Sequence, residues 1–316
     1  MAEPKVIAVV GATGAQGGGL VRAISADSGG GFVARAVTRD PESDAAKALA
    51  ALPNVEVVQA DLESSASVEA AFAGAYGAFC VTFFWVDFSA ETEMRHARTM
   101  AAAAKSAGVQ HVVWSTLEDT RTFIPLDDDR MPTLQGKYKV PHFDGKEDAD
   151  AAFREAGVPT TFLRTAFYWE NLIYFGLGPK RGEDGALSFT YPMGDKRLPA
   201  IAASDIGKIA FGIFKRPELI GETVSVAGEH LTGAQMAEKL GKALGEPVTY
   251  NDVDPDVFRS FGFPGADEVG NMFQFKRDFE TEYVGARDLG VARSLNPELQ
   301  DFDAWLAANA ARIPLE

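Results

Sequence analysis

The sequence predicts an α/β protein with a doubly wound parallel sheet and a second, smaller, discontinuous α+β domain. Short apolar, β-branched runs alternate with longer segments of helical period over the first 165 residues, and this alternation is typical of βαβ units. A glycine-rich turn directly follows the first of these runs. After Arg164 the alternation stops, and the next 35 residues are rich in aromatic residues, glycine and proline, which predicts that the chain leaves the sheet there.

The apolar runs predict seven strands, at residues 5–10, 32–37, 55–59, 77–82, 111–115, 160–164 and 223–227. The clearest helices are predicted at residues 90–107 and 142–156, because Gly108 and Gly157 follow them directly. Residues 118–140 form an acidic connection of more than 20 residues, and such loops are usually functional or mobile. We therefore expect residues 1–165, with returning segments at about 200–228, to form the sheet domain. Residues 166–199 and 229–316 should form the smaller domain.

The composition indicates a globular protein and excludes several classes of partner. Of the 316 residues, 46% are hydrophobic and 24% are charged, which is ordinary for a chain that buries a core. The net charge of −15 repels polyanions, so we expect no direct binding to nucleic acid or to an anionic membrane. No apolar stretch is long enough to cross a bilayer, and a cytoplasmic location is therefore expected.

The cysteine and histidine residues predict neither a disulfide nor a metal site. Cys80 is the single cysteine, and its apolar neighbours predict a buried position in a strand. The histidines at positions 96, 111 and 230 have no metal-ligand spacing with one another or with Cys80. We expect that no metal ion is bound.

The glycine-rich turn identifies the sheet domain as Rossmann-type. Gly11 would make the tight turn, Gly14 would let the backbone approach a pyrophosphate, and Gly17 would let the helix pack close to the strand. The helix N-terminus then presents N–H groups and the positive end of its dipole to the phosphates. A nicotinamide dinucleotide is the expected ligand, held here by Gly11, Thr13, Gly14, Ala15, Gln16 and Gly17.

The end of the second strand decides which dinucleotide is preferred. An acidic residue there binds the ribose 2′-hydroxyl of NAD, whereas an arginine accommodates the 2′-phosphate of NADP. The sequence has Arg39 and no carboxylate at the strand end, so NADP(H) is preferred and NAD(H) remains an alternative. The neighbours Asp40, Glu42 and Asp44 weaken the local positive field. Asp61 and Leu62 follow the third strand. They lie beside the adenine of the cofactor, or they form a plain surface turn.

These residues together resemble the NmrA-like branch of the short-chain dehydrogenase/reductase superfamily over nearly the whole chain, and most of all its cytosolic NADP(H)-sensing members. The resemblance depends on the glycine turn and on five further segments, at residues 37–39, 81–82, 142–146, 170–172 and 261–266. It implies a dinucleotide-binding domain, a small second domain that forms a cleft, and regulatory work through protein partners in several members. More distant relatives are reductases.

The resemblance also implies further cofactor contacts. They fall on Thr82, Phe83, Lys146, Tyr168, Glu170 and Asn171. Two positions depart from the pattern. Glu42-Ser43-Asp44 stands where sensor-type members often have basic residues, and Phe83 stands where a polar residue is common.

The superfamily's catalytic pair is a tyrosine with a lysine four residues later, and this chain lacks it. None of the seven tyrosines is followed by a lysine at that spacing, and His142 and Lys146 occupy the corresponding positions. Lys146 can still bind the ribose from this helix face. A histidine can act as a general acid near neutral pH, so no catalytic residue is assigned and His142, Lys146 and Ser115 remain candidates.

Two functions remain open from the sequence. The first is an NADP(H)-responsive regulator that acts through a protein partner, with cofactor binding expected to order residues 83–90 and 118–140. The second is an NAD(P)H-dependent reductase of a small molecule such as a quinone or an enone, with His142 or a bound water as the acid. The missing tyrosine favours the first. The oligomeric state stays open, with a homodimer as one alternative.

Overall fold

The structure, a computed structural model, describes residues 3–315 and confirms the predicted Rossmann-type α/β fold. Its main sheet has seven strands in the order β11-β6-β5-β4-β1-β2-β3. These are β1 (Lys5–Val9), β2 (Phe32–Thr38), β3 (Val55–Gln59), β4 (Gly77–Cys80), β5 (His111–Thr116), β6 (Thr160–Arg164) and β11 (Thr223–Ser225). The strands from β3 to β6 pair in parallel, so their carboxyl ends share one edge of the sheet.

Three strands end earlier than predicted, and β2 and β5 each end one residue later, at Thr38 and Thr116. The structure ends β4 at Cys80, β1 at Val9 and β11 at Ser225, whereas the apolar runs predicted ends at 82, 10 and 227. The pairing of β4 with β5 ends at Cys80, so Val81 and Thr82 lie past the ladder at the carboxyl edge. The expected burial of Cys80 is confirmed, since its side chain is fully buried, and burial raises the pKa of its thiol.

Among the described residues, six helices cover the main sheet and bury an apolar core. They are α1 (Ala15–Ser25), α2 (Asp44–Ala50), α3 (Ser65–Phe72), α4 (Ala90–Ser106), α5 (Pro141–Ala156) and α7 (Ala203–Phe214), with 3-10 turns at Phe84–Val86 and Pro217–Leu219. The core on one face includes Phe72, Met100, Trp114, Phe153 and Phe162. Each large apolar side chain buried there contributes about 1.5 to 3 kcal/mol.

The chain divides into two compact units. One contains residues 3–119, His142–Arg164 and Ala203–Val224. The other contains Thr120–Pro141, Thr165–Ala202 and residues 225–315. In the described part of the chain, no helix is long and apolar enough to span a membrane.

The second unit has two small three-stranded sheets and short helices. Its strands are β7 (Phe167–Tyr168), β8 (Lys180–Arg181), β9 (Leu187–Tyr191), β10 (Arg197–Ile201), β12 (Glu229–Thr232) and β13 (Val248–Asp252), in the orders β12-β10-β7 and β13-β9-β8. Its helices are α6 (Asn171–Tyr174), α8 (Gly233–Leu244), α9 (Pro255–Arg259), α10 (Ala266–Asp278), α11 (Glu280–Gly285), α12 (Leu289–Leu295) and α13 (Phe302–Asn309), with 3-10 turns at Thr120–Thr122 and Ala310–Arg312.

The segment 120–141 is packed within the second unit, although a connection of this length is usually functional or mobile. Buried Lys139 donates from Nζ to the carbonyls of Asp128 and Met131, at 2.6 and 2.8 Å. Asn271 of α10 donates to the carbonyls of Pro132 and Lys139, at 2.9 and 2.6 Å. Hydrogen bonds to buried backbone carbonyls hold a segment in one conformation.

Glycines let helices α1 and α7 approach to backbone contact. A Cβ atom at Gly207 would lie 2.1 Å from the nitrogen of Leu20, and one at Gly19 would lie 2.6 Å from the carbonyl oxygen of Ser204. Glycine inside a helix costs about 1 kcal/mol relative to alanine. The close approach of the two backbones is the physical reason for the glycines at positions 19 and 207.

We expect Gly207→Ala to lower the free energy of unfolding by about 3 kcal/mol or more, because the methyl group meets backbone that cannot move aside cheaply. The control is Gly285→Ala in α11, where an added Cβ meets nothing within 4 Å and should be neutral or slightly stabilising. Urea unfolding measures both variants. Equal stability of the two proteins would contradict the backbone contact.

Candidate functional site

The glycine turn has the geometry that its spacing predicts. Gly11 has a φ of 65°, a left-handed conformation that glycine adopts without strain. A Cβ at Gly17 would lie only 2.4 Å from the carbonyl oxygen of Gly11, so α1 begins in direct contact with the turn. Thr13, Gly14 and Ala15 are exposed. Gly14 is the N-cap residue of α1 and provides no side-chain cap, so the first N–H groups of the helix face outward for an anion.

The turn lies beside the ends of β4 and β5. A Cβ at Gly11 would be 3.1 Å from the side chain of Val81, which directly follows β4. Ser115, near the end of β5, donates its hydroxyl to Oε1 of Gln16 at 2.9 Å. The candidate residue Ser115 is therefore bonded to the glycine turn.

Arg39 lies exposed after β2 and, within the described residues, its side chain has no hydrogen bond or ion pair. Two of the three carboxylates near it, those of Asp40 and Glu42, have other partners. Asp40 accepts from the backbone N–H of Glu42 at 2.9 Å, and Glu42 pairs with Lys47 at 3.2 Å. The guanidinium of Arg39 therefore remains available to a phosphate.

Asp61 and Leu62 follow β3. The carboxylate of Asp61 accepts from the backbone N–H of Glu63 at 3.0 Å, and its backbone N–H and carbonyl both bond to the Ser67 hydroxyl. Leu62 is half-buried against the apolar core. One oxygen of Asp61 therefore has a turn partner, as the surface-turn reading expects.

Lys146 of α5 is paired with a carboxylate that the sequence did not point to. Its Nζ donates to Oγ1 of Thr82 at 2.7 Å and to Oε1 of Glu93 at 2.9 Å. Thr82 in turn donates to the same oxygen of Glu93 at 2.5 Å. The Glu93 side chain is only 2% exposed and that of Lys146 is 12% exposed. The positive charge of Lys146 is therefore compensated inside the site.

His142 is buried among aromatic rings. Its ring centroid lies 5.0 Å from that of Trp85, 5.9 Å from that of Phe84 and 4.8 Å from that of Phe143. Phe83, the neighbour of Thr82, is 62% exposed. An imidazole with three aromatic rings at these distances packs as an aromatic side chain.

Asp150 lies one turn after Lys146 on α5, and its side chain is 2% exposed. Its Oδ1 accepts from the Trp114 indole and from the Thr116 hydroxyl, both at 2.7 Å. Burial raises its pKa to about 6, although these two hydrogen bonds oppose the shift. The Thr116 hydroxyl also lies 3.3 Å from the carbonyl of Lys146, which links this carboxyl group to the backbone of the candidate lysine.

Three predicted cofactor residues lie in the second unit. The Tyr168 hydroxyl is 3.2 Å from that of Thr165, and Glu170 accepts from the Trp305 indole at 3.1 Å. Asn171 is half-buried and begins α6. The adjacent Trp169 is fully buried, 5.3 Å from the ring of Phe302 and 6.1 Å from that of Trp305, so it belongs to the core of this unit. Cofactor contacts from this segment stay a prediction.

Comparison with known proteins gives the family. A family model, that of the NmrA-like family, matches residues 3–306. This chain belongs to the NmrA-like family. The predicted resemblance is thereby confirmed.

Relatives of this NmrA-like protein include enzymes and regulators by name. The NmrA-like family domain-containing oxidoreductase FrzB of Cladobotryum sp is 31% identical over 306 residues, which cover 89% of this chain and 85% of that protein. The nitrogen metabolite repression protein nmr of Neurospora crassa is 28% identical over 281 residues, which cover 78% of this chain and 54% of that protein. The similarity to FrzB therefore covers more of this chain than the similarity to the nmr protein does.

Solved structures of Nmra, a negative transcriptional regulator, share the fold of this NmrA-like protein. The complexes of Nmra with NAD and with NADP each align with a TM-score of 0.79 at 25% identity, covering 98% of this chain and 96% of theirs. One regulator of this fold has thus been crystallised with either dinucleotide.

Asp150 gives a prediction about stability and pH. Between the ordinary aspartate value near 3.9 and the folded pKa of about 6, the folded protein holds a proton that the unfolded chain has lost. Stability therefore falls as pH rises through this window and carries a constant penalty above it.

Asp150→Asn keeps an oxygen acceptor for Trp114 and Thr116 and removes the ionisation. We expect it to be more stable than the wild type at pH 7 to 8, by on the order of 3 kcal/mol, and nearly equal at pH 4. Thermal unfolding across this range measures the difference. A constant difference between the two proteins at every pH would contradict the assignment.

Proposed function

We propose that this NmrA-like protein binds a nicotinamide dinucleotide at the glycine turn. The observation that carries the proposal is the exposed, uncapped start of α1, which contacts the turn so closely that only glycine fits at position 17. The complexes of Nmra with NAD and NADP support it. The pyrophosphate would lie on the backbone between Gly11 and Gly17, with Thr13, Ala15 and Gln16 around it.

The rest of the ligand would follow the carboxyl edge of the sheet. Arg39, Asp61 and Leu62 would contact the adenosine half, because they follow β2 and β3. Thr82, Phe83 and Lys146 would contact the nicotinamide half, with Tyr168, Glu170 and Asn171 as contacts implied by the family resemblance. A nicotinamide dinucleotide supplies hydride-transfer chemistry.

We predict that Gly14→Val abolishes the binding of both NADPH and NADH, because the side chain fills the space that the pyrophosphate approaches. The fold should survive, since Gly14 has extended backbone angles that valine accepts. The added Cβ lies 3.2 Å from the carbonyl oxygen of Gly11, a tight contact that a shift of a few tenths of an ångström relieves. Calorimetry measures the affinity and circular dichroism checks the fold. Retained affinity in a folded variant would place the ligand elsewhere.

The preference of the site for NADP(H) depends on Arg39. The guanidinium is exposed, and the nearby Asp40 and Glu42 have partners of their own, so its charge is available to a 2′-phosphate. No carboxylate stands at the end of β2 to bind a 2′-hydroxyl. This arrangement favours NADP(H) over NAD(H).

Arg39→Ala should weaken NADPH binding about 10- to 100-fold and leave NADH binding nearly unchanged, because a hydrogen bond to a charged group contributes about 1.5 to 3 kcal/mol. Arg98→Ala, on helix α4 away from the strand ends, is the control for loss of one positive charge. Equal losses for the two cofactors would remove Arg39 from the 2′-phosphate site.

For the role of the bound cofactor, the geometry favours a regulator over a dehydrogenase. The tyrosine position holds His142 among aromatic rings, and the Lys146 ammonium is already compensated by Glu93. The acid of the pair is therefore an imidazole instead of a phenol, and the lysine charge that would assist it is already compensated. A cofactor-responsive regulator needs only a difference in cofactor affinity between two conformations, and the aromatic segment 83–88 next to Thr82 is the element that would differ between them.

A reductase is the second candidate, and the names of the relatives favour it. FrzB, similar over most of this chain, is named an oxidoreductase. In that case His142 or a bound water would donate a proton to the anionic oxygen that forms when a quinone or enone accepts hydride.

We predict that cofactor binding protects the backbone amides of residues 83–90 from hydrogen exchange and that turnover is negligible. In this segment Phe83 is 62% and Val86 is 70% exposed, and Thr82 joins the segment to the proposed cofactor site. The packed segment 120–141 should change little. Hydrogen exchange is measured with and without NADPH, with Gly14→Val as the control. Reduction of a quinone or enone at about 1 per second or faster, or protection confined to the glycine turn, would favour the reductase.

A further inference from the structure

Glu93 is buried in a place where a helix glutamate is usually exposed. It lies in the first turn of α4, where acidic residues are common because they complement the helix dipole. The capping is done by other residues, since Ser89 accepts from the backbone N–H of Thr92 at 3.1 Å. The Glu93 carboxylate turns inward and is 2% exposed. A buried carboxylate that does not cap its helix needs another reason.

The hydrogen bonds of Lys146 supply that reason. An ammonium has three donors. Two of them go to Thr82 Oγ1 at 2.7 Å and Glu93 Oε1 at 2.9 Å, and the third has only a long contact to the Thr82 carbonyl at 3.4 Å. Glu93 therefore fixes the position of Nζ, cancels its charge and leaves about one donor for a ligand.

The other oxygen of Glu93 shows that this arrangement is not a complete structural network. Oε2 is buried and has no hydrogen-bond partner among the described residues. A half-satisfied buried carboxylate costs free energy, and such a cost is common where a residue serves a site.

We propose that Glu93 is a positioning residue of the dinucleotide site, which holds the Lys146 ammonium against Thr82 and compensates its charge. The inference rests on the proposed binding of a nicotinamide dinucleotide. Lys146 then donates to a ribose hydroxyl from a fixed position, while its charge is not available to activate an acid at position 142. Glu93 thereby makes the lysine a binding group.

The groups around Lys146 determine the pH range in which its role is tested. Helix α4 contributes Glu93, and the carboxyl edge of the sheet contributes Thr82, Trp114 and Thr116, which do not titrate. Its own helix contributes His142, Asp144, Glu147, Asp148 and Asp150. The pKa of Asp150 is about 6, and histidine and carboxylates ordinarily titrate below about 7. Between pH 7.5 and 10, a change seen only in Glu93→Gln therefore reports on the lysine that has lost its counter-ion.

The test compares Glu93→Gln with the wild type between pH 7.5 and 10. Burial favours the neutral form of a lysine that has lost its counter-ion. In the variant, NADPH affinity should therefore fall about tenfold across this range as charge-assisted hydrogen bonds become neutral ones. The wild type should change less than about threefold. Glu69→Gln is the matched control, since Glu69 is an exposed helix residue with the same charge.

Unfolding gives an independent measurement that needs no cofactor. The unfolded chain keeps the lysine proton up to about pH 10.4, whereas the folded variant loses it earlier, so its stability relative to the wild type should rise with pH. As the pH rises, the NADPH affinity of Glu93→Gln then falls while its stability relative to the wild type rises. If the role of Glu93 were purely structural, Glu93→Gln would lower the NADPH affinity and the stability by the same factor at every pH. Affinity and stability profiles of the variant that run parallel to those of the wild type would overturn the proposal. If wild-type protein binds no NADPH, the proposed function fails while the unfolding profile still tests Glu93.

A second pair of variants covers failure of Glu93→Gln to fold. Lys146→Met leaves a buried carboxylate without its partner, whereas Lys146→Met combined with Glu93→Gln leaves no charge. The double variant should be the more stable at pH 7.5. If the single variant is equally or more stable there, Glu93 does not compensate Lys146.

Discussion

Helix α1 lies against the end of β1 because Gly17 has no side chain, and much of the first unit depends on that contact. The same helix meets α7 through Gly19 and Gly207, so its position is fixed on two sides by backbone. A helix held this closely cannot shift to accommodate a ligand. Its N-terminus is therefore oriented before any phosphate arrives, and such preorganisation lowers the cost of binding.

The sequence predicted the sheet and the glycine turn because both are encoded locally. Strand runs and the spacing of Gly11, Gly14 and Gly17 are read within a few residues. The strand ends were less predictable, because Val81 and Thr82 have strand-forming side chains and no partner strand beyond Cys80. The packing of segment 120–141 could not be predicted at all. Its anchors on α10 are more than 130 residues away in the sequence.

The candidate site was predicted in part for the same reason. Lys146 was found because the spacing to position 142 is a helix-face pattern. Glu93 was missed since an acid in a first helical turn already has an ordinary explanation, and its contact to Lys146 spans 53 residues. Asp150 was missed because nothing in a run of acidic and alanine residues marks one of them as buried. A hint was available in Thr116 and Trp114, polar atoms on a strand expected to be covered on both faces.

The order of segments in the first unit has a consequence for protein synthesis. This unit takes its last sheet strand and helix α7 from Ala203–Val224, after two pieces of the second unit have already been made. The glycine face of α1 has no cover until α7 leaves the ribosome, and the outer edge of β6 has none until β11 follows. At about 5 to 20 residues per second, the nascent chain spends tens of seconds in that state. Chaperones that shield apolar helix faces and strand edges are therefore expected to bind the nascent chain before α7 and β11 are complete.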